Sequence, residues 1–176
     1  MIGLLLFTLV NSSDVFLLLK LKDAGLSDTA TIGAYIFYNL VYAVFAYPLG
    51  IIADRLGLKR VFLFGLVIFT IVYLGMAFNT NVYLFFALFF LYGLYAAATE
   101  GISKAWISNI TEKKDTATAI GTCTGFQSIC TMIASSLAGF LWYNFGAPVT
   151  FIVTAIITCV VIAYITLLRS PLYKIL

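Results

Sequence analysis

The 176 residues are 63% hydrophobic and 10% charged, with a net charge of +3 and a mean hydropathy of +1.09. A soluble globular domain carries roughly a quarter of its residues as charges, so this composition excludes one and points to a bilayer as the solvent. The absence of histidine excludes a His-based zinc site, a Ser-His hydrolase and a His proton relay.

A helix rising ~1.5 Å per residue needs about 20 apolar residues to cross the hydrocarbon core, and about six such stretches follow one another. They are 2–20, 30–53, 61–78, 82–108, 116–141 and 148–168, separated by short polar turns. The run Leu84-Phe85-Phe86-Ala87-Leu88-Phe89-Phe90 does not alternate, as a strand of a membrane barrel would. The expected architecture is therefore an all-α bundle of six transmembrane helices, with no soluble domain.

The first stretch has no basic residues before its apolar core and no small-residue cleavage pattern, so it reads as a span and not as a cleaved signal peptide. It is interrupted by Asn11-Ser12-Ser13-Asp14. Counted along a helix, Asp14 lies roughly 18 Å deep, near the midplane. An ionisable group there costs about 2.5–3.5 kcal/mol on insertion scales and marks a pathway or a partner by default. Asn11, three residues earlier, projects from the same face. Asn11, Ser12, Ser13 and Asp14 are accordingly candidates for contacting a solute or a cation; the plainer role is a buried Asp bonded to a neighbouring helix.

The second and third stretches are joined by Gly50-Ile51-Ile52-Ala53-Asp54-Arg55-Leu56-Gly57-Leu58-Lys59-Arg60. Gly50 and Gly57 are expected to allow close helix approach and a sharp bend. Asp54 is expected near the start of the third helix, where the dipole favours a negative charge. Arg55, Lys59 and Arg60 then stand at the membrane face, and the joint reads as a gate more than a binding site.

In the fourth stretch Tyr92, Tyr95 and Thr99 share one helical face. Glu100 precedes Lys104 by four residues, the favourable order for an intrahelical ion pair, with Lys104 snorkelling to the boundary. That pair serves either as an inner gate contacting solute or as plain charge compensation. The fifth stretch is rich in small residues: Gly121 and Gly125, then Ser135 and Gly139, repeat a spacing that lets helices approach closely. Gln127 bonds across helices or faces a cavity. Cys123, Cys130 and Cys159 have no metal-like or paired spacing and are expected to pack as small residues.

Basic residues gather at cytoplasmic ends of spans. Arg55, Lys59, Arg60, Lys104, Lys113, Lys114, Arg169 and Lys174 fall on one side, and only Lys20 and Lys22 on the other. The even-numbered turns and the C-terminus are thus expected in the cytoplasm. The positive charge reflects this topology and does not call for nucleic acid.

The joint at 50–60 closely resembles the loop signature of the major facilitator superfamily, G-x-L-A-D-R-x-G-R-K-R, with Ile52 in place of Leu and Leu58 in place of the first basic residue. Asn11 to Lys20 is similar to the seventh helix of bacterial permeases of that family. Tyr92-Gly93-Leu94-Tyr95-Ala96-Ala97-Ala98-Thr99-Glu100-Gly101 resembles their tenth, and Gly139-Phe140-Leu141-Trp142 before Phe145-Gly146 the exit from their eleventh. The resemblance implies the C-terminal six-helix half of such a transporter, built from two inverted three-helix repeats (1–78 and 82–168) and a short tail, 169–176. It implies a cavity lined by the first and fourth spans, and a small solute moved by alternating access with a coupling proton or cation. It also implies a second six-helix half, from the same chain, a split partner or a second copy. No cofactor is expected. An intramembrane aspartyl protease needs two apposed aspartates, and Asp14 is the only Asp at the midplane. The remaining alternative is a non-transporting membrane subunit or relic that keeps the fold.

Overall fold

The computed structural model describes residues 2–167, and the side chains of Ile2, Gly3 and Leu4 are not described. The expected tail at 169–176, with Arg169 and Lys174, lies outside the described residues. The described residues form helices and turns: α1 (Ile2–Thr8), α2 (Val15–Asp23), α3 (Asp28–Leu56), α4 (Leu58–Phe78), α5 (Val82–Ile110) and α6 (Thr116–Leu167). Four of them, α3 to α6, are long and apolar enough to cross a membrane.

Two departures from the expected spans have identifiable causes. The first stretch is not one helix. Residues 9–14 leave the helical path between α1 and α2, because their short polar side chains offer the backbone other partners. The Ser13 amide donates to Ser135 Oγ at 3.0 Å, and Ser13 Oγ accepts from the Val15 amide at 3.3 Å. The fifth and sixth stretches are joined through Gly146 alone, with φ 83° and ψ 171°, and Pro148 follows. Glycine reaches that region without a Cβ clash, and proline is tolerated in the first turn of the helical arm that restarts there.

α3 is capped by Ser27, whose side chain accepts from the Ala30 amide at 3.3 Å. It runs on to Leu56, and a single residue, Gly57 at φ 97°, separates it from α4. Asp54 is therefore in the last turn of α3 and not at the start of the next helix, which corrects the expected placement; only Gly57 makes the turn. Gly50 is helical, and a Cβ built on it would meet nothing within 4 Å, so it mediates no close approach.

The core lies around α4, which packs on α5, α6 and α3. Phe62, Leu66, Phe69, Val72, Tyr73 and Met76 of α4 are almost wholly enclosed. The close approaches fall at glycines other than those singled out by spacing. A Cβ on Gly93 would lie 2.7 Å from the Tyr38 carbonyl oxygen and 2.8 Å from Val41 Cβ; one on Gly65 would meet Thr99 Cγ2 at 2.7 Å. A Cβ on Gly121 or Gly125 would meet nothing within 4 Å, so this half of the small-residue motif makes no close approach among the described residues. The other half does pack, for Ser135 meets Ser13 and Gly139 meets the Phe16 ring. All three cysteines carry free thiols; Cys123 is buried, Cys130 half-buried and Cys159 exposed.

Candidate functional site: a polar cavity beside the interrupted first span

The interruption places Asn11, Ser12, Ser13 and Asp14 on the wall of a cavity of about 380 Å³. Asp14 is the N-terminal flanking residue of α2, yet its side chain caps no amide there. It accepts a hydrogen bond from the Tyr38 hydroxyl of α3 instead, which ties the interruption to the neighbouring helix.

The opposite wall comes from one face of α5. Tyr92, Tyr95 and Thr99 are buried and line the same cavity, with Glu100 and Lys104. Their common face follows from the helical period. Thr99 Oγ1 turns back to donate to the Tyr95 carbonyl at 2.9 Å, leaving the aromatic rings to form the wall. Tyr92 meets Tyr38 edge to face, with centroids 5.2 Å apart, and Tyr95 at 5.3 Å. Tyr95 leans on Phe69 at 4.8 Å, and Phe69 stacks on Tyr73 at 4.0 Å. Rings from α3, α4 and α5 thereby brace the polar segment. Gln127 and Thr131 of α6 complete the lining.

The ion pair expected between Glu100 and Lys104 does not form in the structure: both side chains are exposed, and Glu100 lies beside the Tyr42 hydroxyl of α3. Salt bridges form elsewhere, Lys22 to Asp28 at 2.5 Å across the turn between α2 and α3 and Lys114 to Glu112 at 3.2 Å.

The gate-like joint is remote from the cavity. None of Gly50, Asp54, Arg55, Gly57, Lys59 or Arg60 lines it. Asp54, Arg55 and Arg60 are exposed.

Several lining residues escaped the sequence reading: Phe7, Thr8, Tyr38, Phe62, Ser103 and Thr131. Tyr38 had a signal. Tyr35, Tyr38 and Tyr42 repeat the spacing that singled out Tyr92, Tyr95 and Thr99. Tyr73 had none, being one aromatic among many in a uniformly apolar helix.

Two buried polar atoms near the interruption, Asn11 Oδ1 and Tyr73 Oη, find no hydrogen-bond partner among the described residues. Buried polar groups are paired in the great majority of cases, so these two mark the segment chemically.

Against this geometry, the model of the Major Facilitator Superfamily matches residues 1–174. An uncharacterized MFS-type transporter of Methanocaldococcus jannaschii is 33% identical over 169 residues, covering 91% of this chain and 42% of the relative. The chain belongs to the major facilitator superfamily. It spans less than half the length of that curated relative.

Proposed function

We propose that the chain is the C-terminal six-helix half of a secondary transporter that moves a small solute by alternating access. In this reading α1 and α2 together make the first crossing, and the two arms of α6 on either side of Gly146 make the fifth and sixth. Residues 1–78 and 82–168 are then the two inverted repeats, and the C-terminus lies on the cytoplasmic side of the cell membrane. The observation that carries the reading is the cavity. A polar break bearing the midplane carboxylate Asp14 meets the Tyr92, Tyr95, Thr99 and Glu100 face of α5 across a space large enough for a small solute. Discontinuous helices around a central site are a recurrent device of secondary transporters.

The second half supplies the missing wall. Ile32, Ile36, Leu40 and Val44 of α3, and Phe126, Ile129, Met132 and Ile133 of α6, are exposed apolar residues, and Gly121 and Gly125 have room beside them. Part of that surface meets lipid, and part meets the other half, whether it comes from the same chain, a split partner or a second copy. The joint at 50–60 steadies one conformation from the cytoplasmic face.

Alternating access is tested with the native cysteines replaced and Gln127→Cys introduced. A membrane-impermeant maleimide should label that thiol in right-side-out and in inverted vesicles alike. Labelling confined to one side would identify a static membrane subunit in place of a transporter.

A further inference from the structure

We infer that the interruption between α1 and α2 is a binding site for an alkali-metal cation of sodium's class, with oxygens from Asn11, Ser12, Asp14 and Tyr73. The donor chemistry argues for it. Asn11 Oδ1 and Tyr73 Oη are buried without partners among the described residues, and Tyr73 is only 1% exposed. An orphaned buried oxygen costs about 1–3 kcal/mol, and two beside one polar break are explained at once by a shared ligand. Tyr73 Oη lies beside the Ser12 side chain, with the Asp14 carboxylate as its charged neighbour, and Asn11 lies beside the Tyr95 hydroxyl. Asn11 and Ser12 are consecutive in the break.

The backbone adds further oxygens. The Phe7 carbonyl takes the amides of Val10 and Asn11, and the Val10 carbonyl takes that of Ser12. The carbonyls of Leu9, Asn11 and Ser12 accept no backbone amide among the described residues. Carbonyls released from an unwound span, together with a helix C-terminal end, are suited to a monovalent ion. A set of neutral oxygens with one carboxylate fits a single positive charge. Calcium draws on more carboxylates, and magnesium on an octahedral shell that keeps several waters. Tyr38, bonded to Asp14, holds the carboxylate in position while its other oxygen stays available.

The binding itself stands apart from the transport reading; only the ion's role as coupling ion rests on it. The test is thermal unfolding of the full-length protein in detergent, in sodium chloride against potassium and choline chloride at constant total salt. A ligand of the folded state raises the midpoint saturably, by on the order of 5 °C for a chain of this size. Asn11→Ala and Asp14→Asn should abolish the rise. Tyr73→Phe keeps the ring stacked on Phe69 and removes an unpartnered hydroxyl, so its midpoint in choline should hold or increase while the sodium response falls at least tenfold in apparent affinity. A purely structural Tyr73 would leave that response unmoved. Equal midpoints in all three salts, or a full sodium response in Asn11→Ala and Tyr73→Phe, would overturn the site. Solute uptake that is active but indifferent to sodium would remove the coupling role and leave the transport reading standing. Sodium binding without uptake of any solute would do the reverse.

Discussion

Asp14 concentrates the chemistry of the molecule in one carboxylate, bonded to Tyr38 and facing the cavity. Asp14→Asn keeps the volume and a hydrogen-bonding side chain but removes the charge. It should reduce uptake at least tenfold while membrane insertion, read by protease protection, remains unchanged. Ser135→Ala probes the same segment from the other side. It leaves the Ser13 amide unpaired in a half-buried place, at a cost of about 1–3 kcal/mol, and should lower the thermal midpoint in detergent accordingly. That Asn11, Ser12, Ser13 and Asp14 line a cavity was legible because polar residues are expensive in an apolar span. The Glu100 to Lys104 pair was misread for a complementary reason. Spacing along one helix reports what two residues can reach, and it is silent about Tyr42 arriving from α3.

Helices show the same division between what is local and what is not. The turn at Gly57 was legible from its own residue, since a glycine acts on its immediate backbone; the cap at Ser27 and the break at Gly146 were not singled out. The full unwinding of 9–14 was less apparent, because it depends on Ser135, 122 residues away along the chain. Close packing was misassigned for a similar reason: the small-residue spacing in α6 marks a surface able to approach something, but only the fold tells what. Gly93 is the contrasting case, in α5 against the backbone of α3. Gly93→Ala places a Cβ 2.7 Å from the Tyr38 carbonyl and should destabilise by about 1–3 kcal/mol, seen as a lower thermal midpoint. Gly121→Ala meets nothing among the described residues and should stay within about 0.5 kcal/mol of the parent. If Gly121 faces the second half, the larger Gly121→Leu should weaken cross-linking between halves while leaving that midpoint in place.

The described helices keep large apolar side chains on their outer surface as well as in the core, while a polar cavity sits beside the interrupted first span, as suits a chain whose solvent is a bilayer. The all-helical, membrane-spanning character came through from the sequence because hydrocarbon thickness sets span length, and four of the described helices are long and apolar enough to cross. The cavity's aromatic bracing through Tyr38, Phe69 and Tyr73 did not, since aromatic residues in an apolar helix look alike until their neighbours are known. The proposed orientation rests on the placement of the basic residues at the joints. Single cysteines at 55–59 should react with an impermeant reagent only from the cytoplasmic side, and labelling from outside would invert the topology. The central claim is that a solute passes between the interrupted first span and α5. Solute counterflow in proteoliposomes, run over a panel of small sugars, organic ions and drugs with the parent protein and Asp14→Asn side by side, tests it most directly. The account predicts accumulation of at least one solute by the parent and its loss in the variant. Counterflow that survives Asp14→Asn unchanged would contradict it.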